Sequence, residues 1–206
     1  MTPILPAVIL PAAILAGGQA RRLGGGDKAL RLVGGRTILS RMTAALAGQA
    51  APLAVNANGD PARFAAAGLP VFADGLPGQL GPLAGVLAAL EWAAPTGAEW
   101  LLTVPGDAPF VPHDLVARLQ TAQRAAGSVL ACAASGGREH PLAALWPLSI
   151  VDALRRALVT EDLRKVGAFT SRFATAVAIW PIEPFDPFLN INTAADLAAA
   201  ERVAAI

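Results

Sequence analysis

Four short apolar runs, at residues 12–15, 53–57, 71–73 and 100–104, stop on or within a few residues of Gly17, Asn56, Asp74 and Asp107. Runs of three to five mostly apolar residues bounded by turn formers read as buried strands. Helical patterns separate them. Thr37 can cap a helix to about residue 46, with Ile38, Leu39, Met42 and Leu46 at helical spacing. Asp60-Pro61 pairs a capping aspartate with a proline at the first helical position. A loop holding Gly75, Pro77, Gly78, Gly81 and Pro82 feeds a helix to residue 94, and 113–126 reads as another. Strand and helix in alternation mean crossover units. The expected fold is therefore α/β, a three-layer sandwich with a mostly parallel, Rossmann-like sheet. In such folds ligands bind outside the carboxyl ends of the strands, so Gly17, Asn56, Asp74 and Asp107 should meet on one edge.

The remaining pattern completes the sheet. Residues 129–133 and 142–146 read as strands around a Gly136-Gly137 turn, an antiparallel addition. A helix over 150–158, a strand over 174–180 and a last helix begun by Thr193, with Asp196 three residues on, close the chain. With no repeat and no long linker, residues 1–206 are expected to form one domain.

Composition excludes several classes. At 54% hydrophobic and 15% charged residues the chain is not disordered. The longest apolar lead, residues 4–16, is short, is broken by Pro6 and Pro11, and has no basic residue before it. Neither a membrane span nor a secretory signal fits, so a cytoplasmic location is expected. The single Cys132 allows no internal disulfide and reads as a core thiol. A net charge of +1 gives no general pull toward nucleic acid. The distribution is informative: before Asp60 the one acidic residue is Asp27, against Arg21, Arg22, Lys28, Arg31, Arg36 and Arg41. The glycine-rich end is thus the basic end, which suits a small polyanion such as a triphosphate.

That end carries Leu15-Ala16-Gly17-Gly18-Gln19-Ala20-Arg21-Arg22-Leu23-Gly24-Gly25-Gly26-Asp27-Lys28 directly after a buried strand. Glycines let backbone N–H groups approach phosphate oxygens, and Arg or Lys adds charge-assisted bonds to the same oxygens. Lys28 precedes Ala29 rather than Ser or Thr, so this is not a Walker A loop. The nearest dinucleotide fingerprint, Gly24-x-Gly26-x-x-Ala29, lies too far past the strand.

The loop, with Arg22-Leu23-Gly24 and Asp27-Lys28, resembles the pyrophosphorylase-type loop of nucleotidyltransferases. Within that group the chain resembles the molybdenum cofactor guanylyltransferases over nearly its whole length. The likeness continues through Val55-Asn56-Ala57-Asn58, Asp74, Gly81-Pro82-Leu83-Ala84-Gly85, Pro105-Gly106-Asp107-Ala108-Pro109, Arg138-Glu139-His140-Pro141 and Asn190-Ile191-Asn192-Thr193. Leu23 stands where that family usually has Met, a conservative exchange.

The resemblance implies the nucleotide-diphospho-sugar transferase type of fold and attack by the terminal phosphate of molybdopterin on the α-phosphorus of GTP. The nucleophile is already an anion, so positioning and charge neutralisation suffice. Lys28 is expected to stabilise the triphosphate and the leaving pyrophosphate, and Asp107 to hold Mg²⁺; these two are the expected catalytic residues. Leu15, Ala16, Gly17, Gly18, Arg22, Gly24, Asn56 and Asp74 complete the expected nucleotide site. Asn190, Asn192, Arg164 and Lys165 are candidates for the acceptor. His140 and Arg138 are weaker ones, since a lone histidine is more often structural. Asn56, Asp74, Asn190 and Asn192 have turn roles as alternatives, and Asp107 a helix cap. Trp92, Trp100, Trp146 and Trp180 read as packing residues. The implied partners are GTP, molybdopterin, a molybdenum-insertion protein and a molybdoenzyme chaperone, with the protein itself a monomer. A cytidylyltransferase or sugar-phosphate transferase of the same fold, and a non-catalytic GTP-binding carrier, are the rival readings. A dinucleotide-binding oxidoreductase is a distant third.

Overall fold

The computed structural model describes residues 10–17, 25–78 and 80–205. Seven strands form one sheet: β1 (Ala12–Leu15), β4 (Leu53–Asn56), β5 (Val71–Phe72), β6 (Trp100–Pro105), β7 (Leu130–Ser135), β8 (Arg138–Pro147) and β9 (Thr175–Trp180). A small antiparallel pair, β2 (Leu32–Val33) and β3 (Arg36–Thr37), stands apart from it. The sheet order is β5-β4-β1-β6-β8-β7-β9. β1 pairs in parallel with both β4 and β6, β4 with β5, and β7 with β9, while β8 runs against both neighbours. From β1 the chain builds outward through β4 and β5 and then returns to the other side of β1 as β6. That reversal opens a crevice at the strand ends.

Side chains alternate across the sheet, and each face finds its own core. Ala12 and Ile14 of β1, Leu102 and Val104 of β6, and Ala131 and Ala133 of β7 pack with α1 (Ile38–Leu46), α3 (Leu115–Ala126) and α6 (Ala194–Ala204). Ala13, Leu101, Leu130 and Cys132 face α2 (Pro82–Ala93), α4 (Val151–Val159) and α5 (Val166–Thr170). The result is the three-layer sandwich that the alternation predicts. Thr103 is fully buried but satisfied: its hydroxyl donates to the Leu142 carbonyl at 2.7 Å and accepts from Trp146 Nε1 at 2.7 Å.

The local signals work as their chemistry requires. The Thr37 hydroxyl accepts from the Ser40 N–H at 3.0 Å, capping α1. Thr193 and Asp196 form a full capping box on α6. Gly136 and Gly137, at φ +54° and +76°, make the two-residue turn between β7 and β8 that favours positive φ at both positions. β8 begins at Arg138, four residues earlier than the apolar pattern indicates, because pairing with β7 extends through polar residues. Asp60 caps its segment as expected, but Pro61–Ala67 winds as a 3₁₀ helix with Phe64 as its buried anchor. α5 has no counterpart in the sequence reading; five residues are too few for a period, and buried Phe169 holds them down. No described helix is long and apolar enough to cross a membrane. Cys132 is a buried free thiol.

Candidate active site

Parallel pairing aligns the strand ends in one row. Leu15 lies opposite both Asn56 and Pro105, and Asn56 lies opposite Phe72. Backbone bonds fasten the edge: the Ala16 N–H donates to the Asn56 carbonyl at 2.8 Å, and the Gly106 N–H to the Leu15 carbonyl at 2.9 Å. A Cβ on Gly106 would stand 2.9 Å from the Leu15 carbonyl oxygen and 3.0 Å from Ala16 Cα. Only glycine allows that approach. Beyond the edge opens a cleft of about 880 Å³, bounded among others by Leu15, Ala16, Gly17, Lys28, Asn56, Asp74, Gly81, Gly85 and Asp107. This volume is in the range of a small-molecule site.

Two polar groups organise the cleft. In the first, Asn56 is 3% exposed and its amide donates to Asp74 Oδ1 at 3.0 Å and to the Phe72 carbonyl at 3.4 Å. Asn58 donates to Asp74 Oδ2 at 2.8 Å and accepts from the Asp74 N–H at 2.9 Å. Both carboxylate oxygens of Asp74 are thereby held, with lone pairs left for a ligand. Arg63 donates to the Asn58 carbonyl at 2.8 Å and pairs with Asp27 at 3.0 Å, tying this group to the residue before Lys28. Asn58, Arg63 and Asp27 line the cleft and were not among the sequence candidates. The alternation Asn56-x-Asn58 at a strand end was the one signal that pointed to Asn58.

In the second group, Lys28 Nζ lies 3.4 Å from Asp107 Oδ2 and donates to Asn192 Oδ1. Lys28 heads a short 3₁₀ turn, Lys28–Leu30, whose Ala29 is anchored in the core. The Ile191 N–H donates to the Asp107 carbonyl at 2.9 Å, and Ile191 is fully buried, so the strap carrying Asn192 is sewn to the end of β6. Asp107 Oδ1 is buried with no hydrogen-bond partner among the described residues. Burial raises the Asp107 pKa, and the neighbouring Lys28 ammonium offsets part of that rise. A buried carboxylate oxygen without a partner is a natural ligand for a cation. No cluster of three or more acidic, histidine or cysteine side chains suited to a metal occurs among the described residues. That fits an ion that takes one carboxylate and fills its other positions with phosphate oxygens and water.

The other candidates fall into place unevenly. Gly18, Arg22 and Gly24 lie outside the described residues. Asn190 is half-buried and does not line the cleft. The Arg164 carbonyl lies 3.6 Å from where a Cβ on Gly81 would stand, which puts Arg164 beside the cleft wall. Its Nη2 pairs with Asp162, and its Nη1 is buried without a hydrogen-bond partner among the described residues. Lys165 is exposed and is the N-cap residue of α5. His140 is structural: its Nε2 is 2.8 Å from Ser135 Oγ, Ser135 donates to Asp186 at 2.7 Å, and the ring stacks on Phe188. Burial lowers its pKa, the Arg138 charge adds to this and Asp186 opposes it. Trp146 and Trp180 are buried, Trp100 packs against the core, and Trp92 stacks on Phe72 beneath the Asn56 group.

Residues 12–174 match the model of the MobA-like NTP transferase domain. A molybdenum cofactor guanylyltransferase from a strain of Rhodopseudomonas palustris is 55% identical over 94% of this chain and 93% of its own. One from a Bradyrhizobium species is 54% identical over 96% of this chain and 94% of its own. Among solved structures, molybdopterin-guanine dinucleotide biosynthesis protein A from Archaeoglobus fulgidus superposes with a TM-score of 0.71 at 23% identity, over 95% of this chain and 98% of that one. The 2-C-methyl-D-erythritol 4-phosphate cytidylyltransferase from Thermus thermophilus superposes with a TM-score of 0.69 at 23% identity, over 97% and 100%. At these identities the structural likenesses establish the fold.

Proposed function

This chain belongs to the MobA-like NTP transferase family, and we propose that it transfers GMP from GTP to molybdopterin, forming the molybdopterin guanine dinucleotide cofactor and releasing pyrophosphate. The observation that carries the reading is the pairing of Lys28 with Asp107 at the end of β6, with Asp107 Oδ1 buried and unpartnered. An oxygen of the acceptor phosphate forms a bond to the α-phosphorus as the bond from that phosphorus to the bridging oxygen of pyrophosphate breaks. Neither partner needs a proton removed, which matches a cleft lined by no histidine, cysteine or serine among the described residues. Lys28 neutralises charge growing on the leaving pyrophosphate, held in place by Asn192.

Mg²⁺ is the cation proposed for Asp107; when bound it would screen the phosphate charges and fix their geometry. Asn56 and Asp74, locked by Asn58, are proposed to read the nucleoside, and Leu15, Ala16 and Gly17 to approach it through backbone groups. Gly18, Arg22 and Gly24 are proposed for the phosphates. Asn190, Asn192, Arg164 and Lys165 are proposed for the acceptor; Arg164 is supported by its place beside Gly81. A cytoplasmic monomer that receives its acceptor from a molybdenum-insertion protein and hands its product to a molybdoenzyme chaperone completes the reading, with no role for nucleic acid.

The test is pyrophosphate release with Mg²⁺ and molybdopterin, comparing GTP with CTP, ATP and UTP. Release with GTP alone is expected. Release with CTP would move the protein to cytidylyl transfer. Absence of release with every nucleotide would overturn the transferase reading for this acceptor.

A further inference from the structure

A second cavity, of about 300 Å³, lies between α5 and the β7–β8 pair. Its walls include Cys132, Pro141, Trp146, Gly167 and Phe173, with Glu139 at its rim. The walls mix apolar and aromatic side chains with the hydroxyls of Thr170, Ser171 and Thr175, and the space suits a ring system rather than a whole nucleotide. Glu139 is exposed, and its carboxylate makes no hydrogen bond or ion pair among the described residues. Burial, with the Glu139 charge adding to it, pushes the Cys132 thiol up to about 11. That thiol stays protonated at neutral pH, so the cavity is suited neither to thiolate chemistry nor to a soft metal.

The cavity and the active-site cleft are lined by neighbouring residues along two stretches of chain. Pro141 lines the cavity and Leu142, the next residue, lines the cleft. Arg164 packs against Gly81 of the cleft wall, and Gly167, three residues on, lines the cavity. A molecule whose phosphate lies in the cleft has a second, partly apolar compartment beside it, with one uncommitted carboxylate at its entrance.

We propose that this cavity receives the pterin ring of the acceptor, and that Glu139 accepts the two parallel N–H donors of its 2-amino-4-oxo edge. This rests on the reading that the acceptor is a pterin phosphate. A carboxylate presents two oxygens at the spacing of two such donors, as it does to an arginine fork. The apolar part of the walls supplies contact for the ring faces.

The test uses the full chain and a probe without phosphate, 6-hydroxymethylpterin, followed by its own fluorescence in the absence of nucleotide. Two variants attack the cavity differently. Glu139→Gln replaces one acceptor with a donor. Gly167→Leu adds a bulky side chain at the cavity wall, and a Cβ there meets nothing within 4 Å at an ordinary φ, so the backbone tolerates it. Wild-type protein should bind the probe, and each variant should bind it at least tenfold more weakly. In transfer assays each variant should raise the acceptor KM with the GTP KM unmoved. Wild-type protein that does not bind the probe, or variants that bind it equally, would overturn the assignment even where GMP transfer proceeds. Glu139-dependent binding without transfer to molybdopterin would uphold the cavity and overturn the transferase reading.

Discussion

Replacing Gly85 with Ala should damage the nucleotide site while leaving the fold nearly intact. Gly85 lies inside α2, and an added Cβ would stand 2.5 Å from Asn56 Oδ1 and 3.4 Å from Asn56 Cγ. Both positions are buried, so the amide must swing away and lose its bonds to Asp74 and the Phe72 carbonyl. Two such bonds are worth about 1 kcal/mol each. The exchange of Gly for Ala in a helix returns about 1 kcal/mol. The net loss is about 1 kcal/mol, a fall in Tm of about 2–4 °C for a chain of this size. The effect on function should be larger, because Asp74 loses the partner that orients one of its oxygens. The expected rise in the GTP KM is about tenfold, the equivalent of about 1.4 kcal/mol. Thermal unfolding and initial rates, measured for Gly85→Ala, Asn56→Ala and the double variant, separate the two terms. If Gly85→Ala acts through Asn56, it should raise KM no further in the Asn56→Ala background. Additive effects, or a Tm loss beyond about 10 °C, would refute the reasoning.

Lys28→Ala should lower kcat by about 10²–10³-fold while moving Tm by no more than about 4 °C; a wild-type kcat would remove Lys28 from the mechanism. For Asp107, burial raises the folded-state pKa, so its protonated form favours folding and that benefit is lost as pH rises through the folded value. At neutral pH the ionised group is therefore a burden, and Mg²⁺ with GTP should raise the Tm of the wild type. Asp107→Asn should match or exceed the wild-type Tm without ligand, lose the Mg²⁺ response and lose activity; a retained Mg²⁺ response in thermal unfolding would place the ion elsewhere. His140 has a lowered pKa, so folding favours its neutral form, and that contribution is present above the unfolded value and lost as pH falls through the folded one. Tm should drop as pH falls below about 6.5 and less so in His140→Gln; an unchanged acid profile in the variant would show that another group controls it.

The sequence by itself determined the layer architecture and most of the strand-end residues. Four apolar runs separated by helical patterns admit little besides a doubly covered parallel sheet. Parallel strands then send their carboxyl ends to one edge, and Leu15, Asn56, Asp74 and Asp107 had to arrive there together. Caps such as Thr37 and the Thr193–Asp196 box were legible because they are bonds between neighbours in sequence. What stayed hidden depends on contacts between distant segments. Arg63 pairs with Asp27, Asn192 holds Lys28 across 164 positions, and the Ile191 N–H reaches the Asp107 carbonyl. His140 became a buried structural group because Ser135 and Asp186 close around it. α5 forms because Phe169 finds a core to enter, not because five residues carry a helical period. Periodicity and turn chemistry are local and can be read along the chain; which polar group meets which is decided by the packing of the layers, where burial removes water and leaves only the partners the fold supplies.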